Sequence, residues 1–198
     1  MANKKARLTD PLGRERAILA ACATIVSGDK TRARFTRAQI RTVDGIGRVI
    51  DATDEFVALR VPLPHDLFMS MPDGCYSPNR AAKTIDQGVV PRPDEDATQL
   101  PDFASMYVDT ELHAERVGVN PDALVRVSRA VLTSWHAITE EYTLGGVTLE
   151  TRGTAAPILV APWDKGPCDD VDGTDGTRRS VPRFAPPIGV IMPLRARE

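Results

Sequence analysis

Twice along its 198 residues the chain runs from a capped helix start into an amphipathic helix and then into three strand-like segments. The second copy is the clearer one. Asn120 offers a side-chain oxygen to the free N–H groups of a first helical turn, and Pro121 sits where a missing N–H is harmless. Leu124, Val127, Val131, Trp135 and Ile138 follow at helical spacing and form one apolar stripe. Arg126, Arg129 and Thr133 fall on the opposite side, because steps of three and four residues stay on one face. The predicted helix therefore has one face for a core and another carrying two arginines. Taken alone, this is also the pattern of an ordinary surface helix with solvated cations.

The first copy opens at Asp10-Pro11. Ile18, Leu19, Cys22, Ile25 and Val26 supply its apolar face, and Gly28 its stop. Arg14 and Arg16 are expected in the early turns away from that stripe, with Lys4, Lys5 and Arg7 ahead of them around a short edge strand. After Thr31 the period changes. Arg34–Val43, Arg48–Asp54 and Glu55–Val61 read as strands, with Asp44-Gly45 as a turn and Pro62 and Pro64 as the end. In the second copy Leu112–Val119 reads as the strand before the helix. Leu144–Thr151, Ala156–Ala161 and Ile188–Leu194 read as the strands after it. The pattern predicts an α+β fold of two repeated βαβββ halves, with two antiparallel sheets side by side and two helices on one face. One domain over 1–198 accommodates this: half 1 at about 1–63, a long connection at 64–111, and half 2 at about 112–198. Prolines at 64, 72, 78, 91 and 93 break long elements in the connection, leaving room for a short helix or strand near Phe68 or Val89-Val90.

Composition narrows the function classes. A net charge of −2 is too low for a protein that grips nucleic acid over its whole surface, so any such contact must be a local patch. There is no apolar run long enough for a membrane span, and no apolar segment follows the charged first residues as in a secretory signal. Cys22, Cys75 and Cys168 have no paired spacing, which suggests reduced thiols in a cytoplasm. His65, His113 and His136 are isolated, so no metal site or cofactor is expected. Asp164–Gly176 is rich in acids but fails the calcium-loop pattern: Asp175 replaces the turn glycine and Val181 the closing glutamate. An acidic hairpin tip is the better reading. No phosphate-binding glycine loop or nucleophile elbow is present, so the chain is not expected to be an enzyme.

The repeated unit, its basic helices and three local segments together resemble the DNA polymerase sliding clamps of the bacterial β type. Ile50–Leu59 (IDATDEFVAL) resembles the family's ATDG…LA strand pair, with Glu55 where glycine is common. Val117–Leu124 (VGVNPDAL) resembles the strand leading into a half-domain helix. Ala156–Val160, followed by a hairpin and Val190–Arg195 (VIMPLR), resembles the last hairpin and the MPxR tail. Leu100–Phe103 is similar to the family's FPD turn. The likeness covers roughly residues 10–63 and 112–195, and the order of the segments carries it more than any one motif.

That resemblance implies a processivity factor that encircles duplex DNA without reading its sequence and tethers a replicative polymerase, placed on DNA by a clamp loader. Family chains carry three such domains and six complete a ring, so a one-domain chain implies a homohexamer, a reduced form in keeping with a bacteriophage gene acting in the bacterial host cytoplasm. Arg14, Arg16, Arg126 and Arg129, with Lys4 and Lys5, would then face phosphates. Val190, Met192, Pro193 and Leu194 match the tail that lines the family's partner-peptide groove; read by pattern alone, Val190 and Met192 are equally core-facing strand residues. Two alternatives stand beside this expectation. One is a clamp-fold interaction protein that binds a replication or transcription protein without encircling DNA. The other is a small enzyme or metal binder with its site in the loops at 64–100 and 164–183.

Overall fold

The computed structural model describes residues 10–101, 119–140, 146–151, 157–163, 168–172 and 178–192. Helix α1 (Pro11–Ile25) leads through a short 3-10 segment (Lys30–Thr36) to strands β1 (Ala38–Val43), β2 (Gly47–Thr53) and β3 (Val57–Pro62). The connection contributes β4 (Gly74–Tyr76) and helix α2 (Pro78–Asp86). Helix α3 (Pro121–Thr139) is followed by β5 (Val147–Glu150), β6 (Ile158–Pro162), the hairpin β7 (Cys168–Asp172) and β8 (Arg178–Pro182), and β9 (Ile188–Ile191).

Seven strands form one antiparallel sheet in the order β4-β1-β2-β3-β9-β6-β5. Two expected sheets are thus a single one, because β3 and β9, the last strands of the two halves, pair directly through Leu59 opposite Gly189. On either side of that central pair the order runs outward as second strand, then first strand. The halves are therefore related by an approximate twofold: α1-β1-β2-β3 on one side and α3-β5-β6-β9 on the other. The strands expected at the very start of each half lie among residues 1–9 and 102–118, outside the described residues.

Both helices start as their caps predict. Asp10 accepts from the Leu12 N–H, and Asn120 accepts from the N–H groups of Asp122 and Ala123. The 3-10 segment departs from expectation, since Arg34–Thr36 do not join the strand. Asp29 caps this turn through Thr31 and draws the chain into a tight helix, and the strand begins only at Ala38. Phe35 is thereby carried over the sheet face remote from the helices, against the small cluster of Ala58, Leu100, Leu159 and Val190.

The main core lies between the helices and the other sheet face. Ile18, Leu19, Cys22 and Ile25 from α1 and Val127, Val131, Trp135 and Ile138 from α3 meet Ile40, Ile50, Leu59, Val61, Ile158, Val160 and Ile191. Each such side chain contributes about 1.5–3 kcal/mol through burial. Register places Ala38, Ala52, Leu59, Gly189 and Val160 in one row across five strands. Gly189 lets α3 settle directly on the sheet: a Cβ there would lie 2.2 Å from a Val127 methyl.

Candidate nucleic-acid interface

Helices α1 and α3 pack closely and run in opposite directions, the first turn of α1 lying against the last turn of α3. Their outward faces are the surface that the sequence marks for phosphate. The structure redistributes its cations.

Arg14 is 2% exposed. Its Nε donates to the Ala137 carbonyl at 2.6 Å and one Nη to the Ile138 carbonyl at 3.0 Å, and the other Nη pairs with Asp66 at 2.8 Å and Glu140 at 2.7 Å. The expectation that Arg14 faces DNA is corrected: it is a tertiary cap on the carbonyl end of α3, where a cation is favoured by the helix dipole. A signal for this was present in the sequence. Arg14 stands four residues before Ile18 and eight before Cys22, on the apolar stripe rather than away from it.

Glu15 beside it is also buried and accepts the Phe68 N–H at 2.5 Å. Burial pushes its carboxyl above the ordinary glutamate range; the Phe68 hydrogen bond opposes that shift, and the nearby Asp10 and Asp66 charges add to it. Phe68 is held at φ 56° between this carboxylate and Arg48, whose guanidinium donates to the Phe68 carbonyl. Arg14 and Glu15, adjacent near the start of α1, thus fix the end of α3 and the start of the connection together.

The other predicted cations keep more contact with water. Arg16 is partly exposed and pairs with Asp86 on α2. Arg126 reaches back to Asp54 in the β2–β3 turn at 2.5 Å. Arg129 lies exposed on the outer face of α3 and has no ion-pair partner among the described residues. Lys4 and Lys5 lie outside the described residues. The two helices also expose apolar side chains: Leu12 is half exposed on α1 and Val125 on α3. The two faces are amphipathic rather than strongly basic.

The tail residues also divide. Val190 is 1% exposed within the second cluster, so it packs the sheet and lines no groove; alternation along β9 sends it to the face opposite Gly189 and Ile191. Met192 is partly exposed and donates its N–H to the Phe56 carbonyl at 2.9 Å. Phe56, itself largely exposed, carries the Arg32 guanidinium 5.8 Å from its ring centre. Met192, which the sequence singled out, thus lies beside Phe56, which it did not, and both side chains are exposed. Pro193 and Leu194 lie outside the described residues.

On the sheet face remote from the helices, Asp51 is fully buried between two arginines. Arg60 grips both of its oxygens, at 2.8 and 2.9 Å, and Arg41 donates to Oδ2 at 2.9 Å. Antiparallel register sets Asp51 opposite Arg60 on β3 and opposite Gln39 on β1. Gln39 in turn accepts the Leu100 N–H, pinning the far end of the connection to the sheet. Such a network fixes strand register more than it adds stability.

No family model and no curated protein matches the chain. Among solved structures, the DNA polymerase sliding clamp of Bacillus subtilis is similar at a TM-score of 0.49 and 10% identity, covering 94% of this chain and 63% of that one. The β sliding clamp of C. crescentus is similar at 0.43 and 12% identity, and the DnaN clamp of Bartonella birtlesii bound to griselimycin at 0.41 and 14%, each covering 93% of this chain and 64% of the other. This chain spans less than two thirds of the length of those clamps. No described helix is long and apolar enough to cross a membrane, and among the described residues no group of acids, cysteines and histidines is arranged to hold a metal ion.

Proposed function

We propose that the chain is a non-enzymatic, single-domain sliding-clamp subunit that assembles with copies of itself around duplex DNA, without a cofactor, and tethers a polymerase placed there by a clamp loader. The observation that supports this most is the twofold arrangement of the halves, which sets two antiparallel helices on one face and leaves the edge strand β5 with β6 as its sole neighbour among the described residues. An unpaired edge invites continuation of the sheet by another copy. Unlike edges joined head to tail close into a ring when the rotation per copy fits, and a homohexamer matches the domain count of the family the sequence resembles. A bacteriophage origin and action in the bacterial cytoplasm belong to the same reading. Arg129 and Arg16, with Lys4 and Lys5, would supply the phosphate contacts, and Arg126 would join them by exchanging Asp54 for phosphate. Met192 and Phe56, with Pro193 and Leu194, would form the partner-peptide patch.

A second reading is favoured by how many cations are spent within the chain: Arg14 is buried, Arg16 is paired with Asp86 and Arg126 with Asp54. On this reading the domain binds a replication or transcription protein and never encircles DNA. Light scattering combined with retention on nicked circular DNA separates the two. A particle of about six chains that slides off when the circle is cut supports the ring. A monomer at micromolar concentration that is not retained leaves the second reading. Within the first reading, Arg129→Glu together with Arg16→Glu weakens retention and flattens its salt dependence, by about one unit in the log–log slope for each phosphate no longer neutralised.

A further inference from the structure

The connection between the halves is a built element with a surface of its own. After α2 the chain turns at Gly88 (φ 71°) and runs back along the helix as an arm, residues 89–94, leaving a cavity of about 380 Å³ between them. The arm is fixed at both ends. Val89 donates its N–H to the Thr84 carbonyl at 3.1 Å, and Asp94 donates its own to the Cys75 carbonyl at 2.8 Å. Pro91 and Pro93 restrict the backbone between these points, and Gly74 admits Pro93, since a Cβ there would lie 2.6 Å from the proline ring.

Inside this rigid frame Val89 and Val90 are more than half exposed, which is unusual for two adjacent valines lining a concavity. The rim carries Arg80, whose side chain is 81% exposed, and the exposed Arg92. Asp94 is the one acid lining the groove; its carboxylate is engaged by Arg37 and lies 3.7 Å from the Arg80 guanidinium, a loose pairing that leaves Arg80 mostly in water. Apolar walls bordered by two exposed guanidiniums, one of them only loosely paired with Asp94, are complementary to aliphatic side chains flanked by carboxylates. A nucleic acid fits less well: two arginines give little phosphate affinity, and valines offer bases no stacking surface.

We propose that the groove between α2 and the 89–94 arm is a docking site for a short, acidic, aliphatic peptide segment of a partner protein. The site lies apart from the tail patch and borders β4, an edge strand of the sheet, through Tyr76. Because the groove is already shaped, little ordering cost falls on this side of the complex.

A random dodecapeptide display library selected on the full chain tests this, with the doubly reversed Arg80→Glu, Arg92→Glu chain as comparison. Both side chains are exposed, so the variant keeps the fold, as circular dichroism checks. The expected outcome is a consensus of Asp or Glu with Leu, Ile or Val. A synthetic consensus peptide should bind in fluorescence anisotropy, weaken about tenfold or more on the double variant, and weaken also on Val90→Ser. Failure to enrich such a consensus, or binding to the double variant within about twofold of the parent, overturns the proposal. A labelled oligo-dT run in parallel is expected not to bind, and oligonucleotide binding that disappears in the same variant would reassign the groove to nucleic acid.

Discussion

Replacing Arg14 separates two accounts of the same residue. In the structure its guanidinium satisfies the carbonyls of Ala137 and Ile138 at the end of α3 and pairs with Asp66 and Glu140. Arg14→Met keeps the buried stem and removes all of these hydrogen bonds and ion pairs. Two buried charge-assisted hydrogen bonds are worth about 1.5–3 kcal/mol each. The two carboxylates are about half exposed and regain water, so their share is small after screening. Together the two hydrogen bonds give about 3–6 kcal/mol, and the cost of about 3–5 kcal/mol for breaking a buried pair sets the expected loss at about 3–5 kcal/mol. For a chain of this size that lowers Tm by roughly 6–20 °C. Arg14→Lys, which keeps the charge but not the planar fork, should lie between the variant and the parent. Urea and thermal unfolding measure the cost, with DNA retention assayed on the folded fraction. A solvated, phosphate-facing arginine predicts the reverse: stability within about 0.5 kcal/mol of the parent and a reduced salt slope. That result would refute the tertiary cap.

Two further outcomes follow from the same packing. Because burial raises the Glu15 carboxyl, folding favours its protonated form: that contribution is fully present below the ordinary glutamate value of 4.5 and is lost as pH rises through the raised folded value. Glu15→Gln, which retains an acceptor for the Phe68 N–H, should unfold at higher temperature than the parent at pH 7, with the gap narrowing as pH falls toward 4.5. A gap that widens on acidification would show that the carboxylate is net stabilising. Gly189→Ala puts a methyl 2.2 Å from Val127 and should cost about 1–3 kcal/mol in urea unfolding unless α3 lifts off the sheet, and a neutral result would mean that the helix does not press on β9 there.

Local physics made much of the fold readable from residues alone. The Asp10-Pro11 and Asn120-Pro121 caps, the stripe Val127-Val131-Trp135-Ile138, and the strands around Val49–Thr53 and Val57–Val61 all depend on contacts a few residues apart. Their repetition announced two equivalent halves. Joining those halves into one sheet was decided by β3 and β9, about 130 residues apart in the chain, and no local pattern specifies such a pairing. The fates of the arginines were decided the same way. Arg14, Arg16 and Arg126 look alike in sequence, yet one is buried on carbonyls 123 residues distant, one answers an aspartate on α2 and one answers Asp54. Helical spacing tells which side of a helix a residue occupies; only the packed neighbours tell whether that side meets water, and with it whether a positive charge remains free for another molecule.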